Sequence, residues 1–199
     1  LGGGQKELGG SLTNSGQVVW SAGSISVLNN ASTLFGSIEN QPGGSWDVQG
    51  DLSINQSPAN NYAAFRNRGL LKKSAGTGTA SLDLPFFNQG TLKQLSGILD
   101  FGRDLSLYAG TVVFGVSSNN FGRINLAGTA SLAGSIAVEL LGGFVPASNA
   151  TYQVMSYGVR AGAFANTNGL NVGFGRYFTP VYTPTTLTLQ AAATNGPNA

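Results

Sequence analysis

The chain has 199 residues, enough for one large domain or two small ones, and it carries 30 glycines, 41% hydrophobic residues and 9% charged residues. Disordered chains are more charged and less apolar than this, so the chain should fold; its polar surface must come from Ser, Thr, Asn and Gln, which suits an extracellular β-protein better than a cytosolic enzyme. With no Cys, no His and a net charge of +2, the composition excludes disulfides, thiolate chemistry, the usual zinc sites and Ser-His-Asp triads, and it offers no basic footprint for nucleic acid.

Alternation of apolar and polar residues dominates, and helical periodicity is nearly absent. The first element is Leu12-Thr-Asn14-Ser-Gly16-Gln-Val18: apolar, any, Asn, any, Gly, any, apolar. A second element follows it: a small residue, Gly, then an alternating strand, Ala22-Gly23-Ser-Ile25-Ser-Val27. The first pattern returns with two extra residues as Ile38-Glu-Asn40-Gln-Pro42-Gly43-Gly44-Ser-Trp46, and the second returns as Gln49-Gly50-Asp-Leu52-Ser-Ile54. Gln56-Ser57-Pro58-Ala59-Asn60-Asn61 then reads as a loop inserted out of this order. Phe65-Arg-Asn67-Arg-Gly69-Leu-Leu71 and Phe86-Phe-Asn88-Gln-Gly90-Thr-Leu92 are further copies of the first pattern. Ser96-Gly97-Ile98-Leu99-Asp-Phe101 and Ala109-Gly110-Thr-Val112-Val-Phe114 read as further copies of the second. The basic cluster Arg66, Arg68, Lys72 and Lys73 reads as a solvated face.

The Asn positions are separated by 26, 27 and 21 residues (14 to 40, 40 to 67, 67 to 88). Short strands recurring at that period have the length of one β-solenoid coil. A single coil cannot bury its inward residues. Stacked coils place Leu on Leu and Phe on Phe, with backbone hydrogen bonds running from coil to coil. Asn14, Asn40, Asn67 and Asn88 are then candidates for a side-chain amide ladder inside a corner. The alternative is that each Asn independently tolerates left-handed turn geometry. The expected fold is all-β: a right-handed parallel β-helix with an aromatic-rich C-terminal cap.

After about residue 120 the pattern tightens. Ile124, Leu126, Gly128, Ala130 and Leu132 alternate, followed by Ile136, Val138 and Leu140. Phe144, Pro146, Tyr152, Tyr157, Phe164, Tyr177, Phe178, Pro180 and Tyr182 then enrich the chain in aromatics and proline, as a cover for the last open coil would. The expected organisation is coils over 1–120, terminal coils and cap over 121–190, and a linker or tail over 191–199. No apolar stretch approaches the roughly 20 residues of a membrane helix and no signal peptide is evident, so no membrane insertion is expected within this segment. A chain starting at Leu1 reads as a fragment or mature form.

The run Leu126-Ala-Gly128-Thr-Ala-Ser-Leu132-Ala-Gly134-Ser-Ile136-Ala-Val138 is followed by Gly143-Phe144-Val145-Pro146, Tyr152-Gln-Val154-Met155, Gly162-Ala-Phe164 and Phe178 through Leu189. This order of motifs resembles a segment of repeat-rich bacterial surface proteins of the autotransporter-passenger-like kind. The upstream Asn-x-Gly copies resemble the coils that often precede that segment. The resemblance covers most of the chain. It implies a bacterial, extracellular or cell-surface location and a structural spacer or adhesin stem, and it brings no catalytic residues with it.

Little in the residues points to chemistry. Asp47 with Asp51, and Asp100 with Asp104, are paired carboxylates, but Gly50 and Gly102 interrupt the strands that would align them. The Asp-rich loop of a common Ca²⁺ site is absent. Catalytic residues, metal ligands and cofactors are therefore expected to be none. Trp20 and Trp46, with Tyr62 and Tyr108, would stack on sugar rings if exposed in a row; aromatics of an all-β chain are more often core or cap. The expected function is a non-catalytic stalk, sheath or fibre subunit, self-associating head-to-tail or laterally. The alternatives are an adhesin binding a glycan or host surface, and a polysaccharide-active β-helix enzyme.

Overall fold

The computed structural model describes residues 3–58 and 62–193. Among them there are 24 strands and no helix. β1 (Lys6–Leu8) comes first, and three strands per coil follow it. Coil 1 has β2 (Ser11–Asn14), β3 (Gln17–Trp20) and β4 (Ile25–Leu28). Coil 2 has β5 (Ser37–Asn40), β6 (Ser45–Gln49) and β7 (Ser53–Ser57). Coil 3 has β8 (Phe65–Asn67), β9 (Leu70–Ala75) and β10 (Thr79–Asp83). Coil 4 has β11 (Phe86–Asn88), β12 (Thr91–Gln94) and β13 (Ile98–Phe101). Coil 5 has β14 (Leu105–Leu107), β15 (Thr111–Val116) and β16 (Arg123–Leu126). Coil 6 has β17 (Thr129–Leu132), β18 (Ser135–Leu140) and β19 (Thr151–Ser156). β20 (Val159–Gly162) and β21 (Asn166–Gly169) begin a seventh coil, and β22 (Asn171–Gly173), β23 (Arg176–Tyr182) and β24 (Thr186–Ala193) end the described chain.

Every third strand joins the same sheet, which is the topology of a parallel β-helix. Sheet 1 runs β1-β4-β7-β10-β13-β16-β19-β24-β23-β22, sheet 2 runs β2-β5-β8-β11-β14-β17-β20, and sheet 3 runs β3-β6-β9-β12-β15-β18-β21. Pairing is parallel up to β19, β20 and β21. In sheet 1, β24 then pairs antiparallel with β19, β23 with β24, and β22 with β23.

Alternation along each strand sends one residue in two inward, and parallel register puts like on like. In sheet 1 the row is Ile25, Ile54, Leu82, Phe101 and Leu126. In sheet 2 it is Leu12, Ile38, Phe65, Phe86 and Leu105. In sheet 3 it is Trp46, Leu71, Leu92, Val112 and Ile136. Rings from the three sheets meet across the interior: Trp46 to Phe65 at 5.4 Å, Phe65 to Phe86 at 5.3 Å and Phe86 to Phe101 at 4.8 Å between centroids. Each such side chain fully removed from water contributes roughly 1.5–3 kcal/mol, so the core is one continuous apolar column and not a set of local clusters.

Four readings of the sequence change in detail. Ala109-Gly110 precedes β15 of sheet 3, so it belongs to the Asn-x-Gly corner and not to the corner that leads into sheet 1. Its N–H and C=O neighbours make this plain: Thr111 donates to Gly90 O as Thr91 donates to Gly69 O. Gln56 and Ser57 lie in β7 and Gln56 is buried, so the strand runs further than expected; residues 59–61 of the inserted loop lie outside the described residues. β24 extends to Ala193 with Ala191 buried, which removes 191–193 from the expected tail, and 194–199 lie outside the described residues. Lys73 is not on a solvated face: it occupies the inward row of sheet 3 between Val48 and Gln94 and is 0% exposed.

Candidate functional site

The corner between sheets 2 and 3 is where the Asn-x-Gly copies fall. Asn14, Asn40, Asn67 and Asn88 are in register and buried. Asn14 Nδ2 donates to Asn40 Oδ1, Asn40 Nδ2 to Asn67 Oδ1, and Asn67 Nδ2 to Asn88 Oδ1, each at 2.7 Å. The second amide hydrogen reaches the first carbonyl of the next coil's sheet-3 strand: Ser45 O at 3.1 Å, Leu70 O at 3.1 Å and Thr91 O at 3.0 Å. The ladder therefore has a direction, with donors facing the C-terminal side. It ends at Asn88, whose Nδ2 turns to Gly90 O at 3.1 Å, because Leu107 occupies the next rung.

The glycine of the motif has a separate cause. A Cβ on Gly69 would lie 2.2 Å from Gly44 O, on Gly90 2.2 Å from Gly69 O, and on Gly134 2.1 Å from Gly110 O. Each corner backbone sits directly on the carbonyl of the coil before it, so only a residue without Cβ allows the stacking distance.

A second polar feature fills the corner between sheets 3 and 1. Lys73 Nζ donates to Ala75 O at 2.7 Å, Gly76 O at 3.2 Å and Gly50 O at 3.3 Å, and pairs with Asp51 Oδ1 at 3.0 Å. Trp20 Nε1 donates to Gly23 O, and Gln94 Nε2 to Ser96 O and Gly97 O, at the same corner of their own coils. These inward donors satisfy corner carbonyls that the sheet ladders leave over, so their role is structural.

Trp20 and Trp46 are both 0% exposed, which removes them as a sugar platform: their rings belong to the apolar column. The exposed aromatics are elsewhere. Tyr62 and Tyr108 face solvent, and Tyr108 joins a patch on the outer face of sheet 2. Arg66 lies over the Phe87 ring at 5.4 Å, and Phe87 stacks with Tyr108 at 6.2 Å and 15°. Arg66 and Arg68 both pair with Glu39, at 3.4 and 3.2 Å, and Arg68 Nε donates to Gln89 Oε1 at 3.1 Å. Arg66, Arg68, Phe87, Gln89 and Tyr108 enclose a depression of about 250 Å³. The signal that locates them is the ladder itself, since each directly precedes or follows a rung: Asn67, Asn88 or Leu107.

Asp47, Asp51 and Asp104 have separate partners. Asp47 is buried under Lys72 Nζ at 3.2 Å, Ser74 Oγ at 2.6 Å and Gln49 Nε2 at 2.8 Å, while Asp51 holds Lys73. Asp104 Oδ1 accepts from the Thr129 N–H at 2.7 Å. Burial, and then the neighbouring Asp83, pushes the Asp100 carboxyl above its ordinary range. Among the described residues no group of three or more His, Cys, Asp or Glu side chains is placed to hold a metal ion. No protein-family model matches the chain, and no match to it is found among curated proteins.

Proposed function

We propose that the chain is a non-catalytic structural segment of a bacterial surface or extracellular protein, a rigid stem or fibre element that spaces other parts apart. The observation that carries this reading is the buried, fully paired Asn ladder running along the stack from Asn14 to Asn88. Such a row commits four interior positions to coil-to-coil cohesion and to nothing that faces a substrate. Interior hydrogen bonds parallel to the stacking direction resist sliding and separation of the coils, which is what a spacer requires. The test is protease shaving of intact cells that produce the protein. An exposed stem is cleaved from the surface while cytoplasmic markers survive; full retention inside unlysed cells overturns the reading.

A second reading, a glycan-binding adhesin face, is favoured by the patch of Arg66, Arg68, Phe87, Gln89 and Tyr108. Two guanidiniums against the single Glu39 carboxylate leave one positive charge beside a stacked pair of rings. That combination suits a sugar carrying a carboxylate or sulfate, with its C–H face on Tyr108 and its anion on Arg68. Binding to acidic but not neutral glycans on an array, abolished by Tyr108→Ala and by Arg68→Ala, is the expected result. Uniform absence of binding removes this reading.

A further inference from the structure

The patch on the outer face of sheet 2 continues past Phe87. Register sets outward side chains of that sheet in a row along the stack: Glu39, Arg66, Phe87, Ser106 and Ser131. Phe87 stands in the middle of the row and lines a depression on each side. One is the depression of about 250 Å³ with Arg66, Arg68 and Tyr108, where the sheet-2 strands end. The other, of about 530 Å³, lies where those strands begin, and its lining includes Pro85, Arg103, Asp104, Ser106 and Gly128. Pro85, Asp104 and Gly128 directly precede β11, β14 and β17, as Gln89 and Tyr108 directly follow β11 and β14. From Pro85 to Gln89 the chain covers at most about 13 Å at the rise of an extended strand. With Phe87 shared between them, the two depressions form one short trough across the face of sheet 2.

The two halves of the trough differ in charge. In the Tyr108 half, two guanidiniums face the single Glu39 carboxylate, and one positive charge is left over. In the other half, Arg103 is held by Asp83, Nε to Oδ1 at 2.9 Å. Asp104 is exposed there and, among the described residues, forms no ion pair. Its position is fixed: the Thr129 N–H donates to Asp104 Oδ1 at 2.7 Å. The same oxygen lies so close to Gly128 that a Cβ on that residue would come within 2.4 Å of it. The lining therefore carries an uncompensated cation at one end and an anchored carboxylate at the other, with an aromatic ring between. With an acidic sugar seated on Tyr108 and its anion on Arg68, the next sugar of the chain would lie on Phe87 and beside Asp104. An anion on that sugar would meet a fixed like charge, whereas a hydroxyl or amide N–H would donate to it.

From this we infer that the trough takes a glycan in which acidic and anion-free sugars alternate. The acidic unit sits on Tyr108 with its anion on Arg68. The anion-free unit lays its C–H face on Phe87 and donates a hydroxyl or amide hydrogen to Asp104. Asp104 sets the specificity: it rejects a chain with an anion on every sugar, because no register of such a chain fills the trough without bringing an anion to the carboxylate. This rests on the glycan-binding reading of the sheet-2 face and names the ligand class for it. It leaves the stem reading untouched, since a stem can carry an adhesive face along one of its sheets.

The test is calorimetric titration of the full chain with three hexasaccharides at one salt concentration, because exposed charges are screened by salt. The first is unsulfated chondroitin, with a carboxylate on every second sugar. The second is the same backbone sulfated on the sugars between. The third is chitohexaose, which has no anion. The expected result is that the unsulfated chain binds about tenfold or more tightly than the sulfated one, and that chitohexaose does not bind. Asp104→Asn keeps an acceptor for the Thr129 N–H and closes most of that gap by strengthening binding of the sulfated chain. Equal affinity for the two acidic chains, or a preference for the sulfated one, with both lost in Tyr108→Ala, leaves the glycan-binding face standing and overturns the alternation. A preference that persists unchanged in Asp104→Asn also overturns the inference. Binding of none of the three removes the glycan-binding face itself, and the inference with it.

Discussion

At the scale of single residues, the ladder Asn positions differ in what they hold. Asn67 is 0% exposed and is bonded on both sides, receiving from Asn40 and donating to Asn88. Asn67→Ala leaves Asn88 Oδ1 buried without its donor and takes the ladder acceptor from Asn40. Each stranded buried group costs about 1–3 kcal/mol, so an overall loss of about 2–4 kcal/mol is expected. Asn14→Ala strands Asn40 Oδ1 and frees Ser45 O and the Gly16 N–H but takes no acceptor from another Asn of the ladder, so it should cost about 1–3 kcal/mol, less than Asn67→Ala. Urea denaturation of the two variants checks the difference, and equal losses would count against a connected ladder. Asp100 offers a test with pH. Its folded pKa is raised above 3.8, first by burial and then by Asp83, so the folded state holds the proton more tightly than the unfolded chain. Its contribution is fully present below the unfolded value and is lost as pH rises through the folded one. Asp100→Asn cannot lose a proton, so it should match the parent at acid pH and exceed it near neutrality. Urea midpoints measured at both ends of that window decide it; a parallel pH dependence in the two proteins sinks it. At this scale the sequence was readable where the period repeats a residue type, as at the four Asn. For Trp20 and Trp46 it favoured the core over a sugar platform without deciding between them, because exposure depends on which strand face turns inward.

At the scale of elements, the corner glycines explain why the motif has the form Asn, any, Gly. The Asn side chain fills the inside of the corner and the glycine lets the next coil descend onto it. Gly90→Ala would put a methyl group 2.2 Å from Gly69 O and 2.6 Å from the Arg68 carbonyl carbon, both backbone atoms. Rigid neighbours on that side make accommodation costly, about 1–3 kcal/mol as for overpacked cores. Thermal unfolding of Gly90→Ala checks this, and an unchanged melting temperature would show that the coils can separate locally. Strand order and parallel pairing were legible from the period alone. Three things were not. Lys72 and Lys73 are adjacent and chemically alike, and only the register through Val48 and Gln94 shows that Lys73 points inward. Ala109-Gly110 mimics a different corner because both corners use a small residue and Gly. The antiparallel turn of β22, β23 and β24 follows the parallel coils without any change in alternation, so composition announced a cap but not its strand direction.

At the scale of the whole molecule, stability is shared among repeated units that touch only their neighbours, so removal of one complete unit should be tolerated where removal of a fraction is not. Residues 68–88 form one such unit, 21 residues from one ladder rung to the next. Their deletion joins Asn67 to Gln89-Gly90-Thr91-Leu92, which recreates an Asn-x-Gly corner followed by the inward Leu of sheet 3. Sheet 2 then passes from Phe65 to Leu105, sheet 3 from Trp46 to Leu92, and sheet 1 from Ile54 to Phe101, so these three inward rows stay apolar, while Gln94 takes the inward place of Lys73. The removed part takes Lys73 with it and leaves Asp51 exposed to solvent, where an unpaired carboxylate costs little. Deleting 68–89 instead joins Asn67 directly to Gly90. The corner then lacks the residue that carries the N–H to the carbonyl of the rung before, as Gln89 does to Asn67 O. A strand displaced by one residue turns its apolar side chains out and its polar ones in. The shorter deletion should therefore give a cooperatively folded protein with β-type circular dichroism and one coil fewer, and the longer one an aggregating or unfolded chain. Loss of fold in both would mean that the coils cohere through specific partners and not as interchangeable layers.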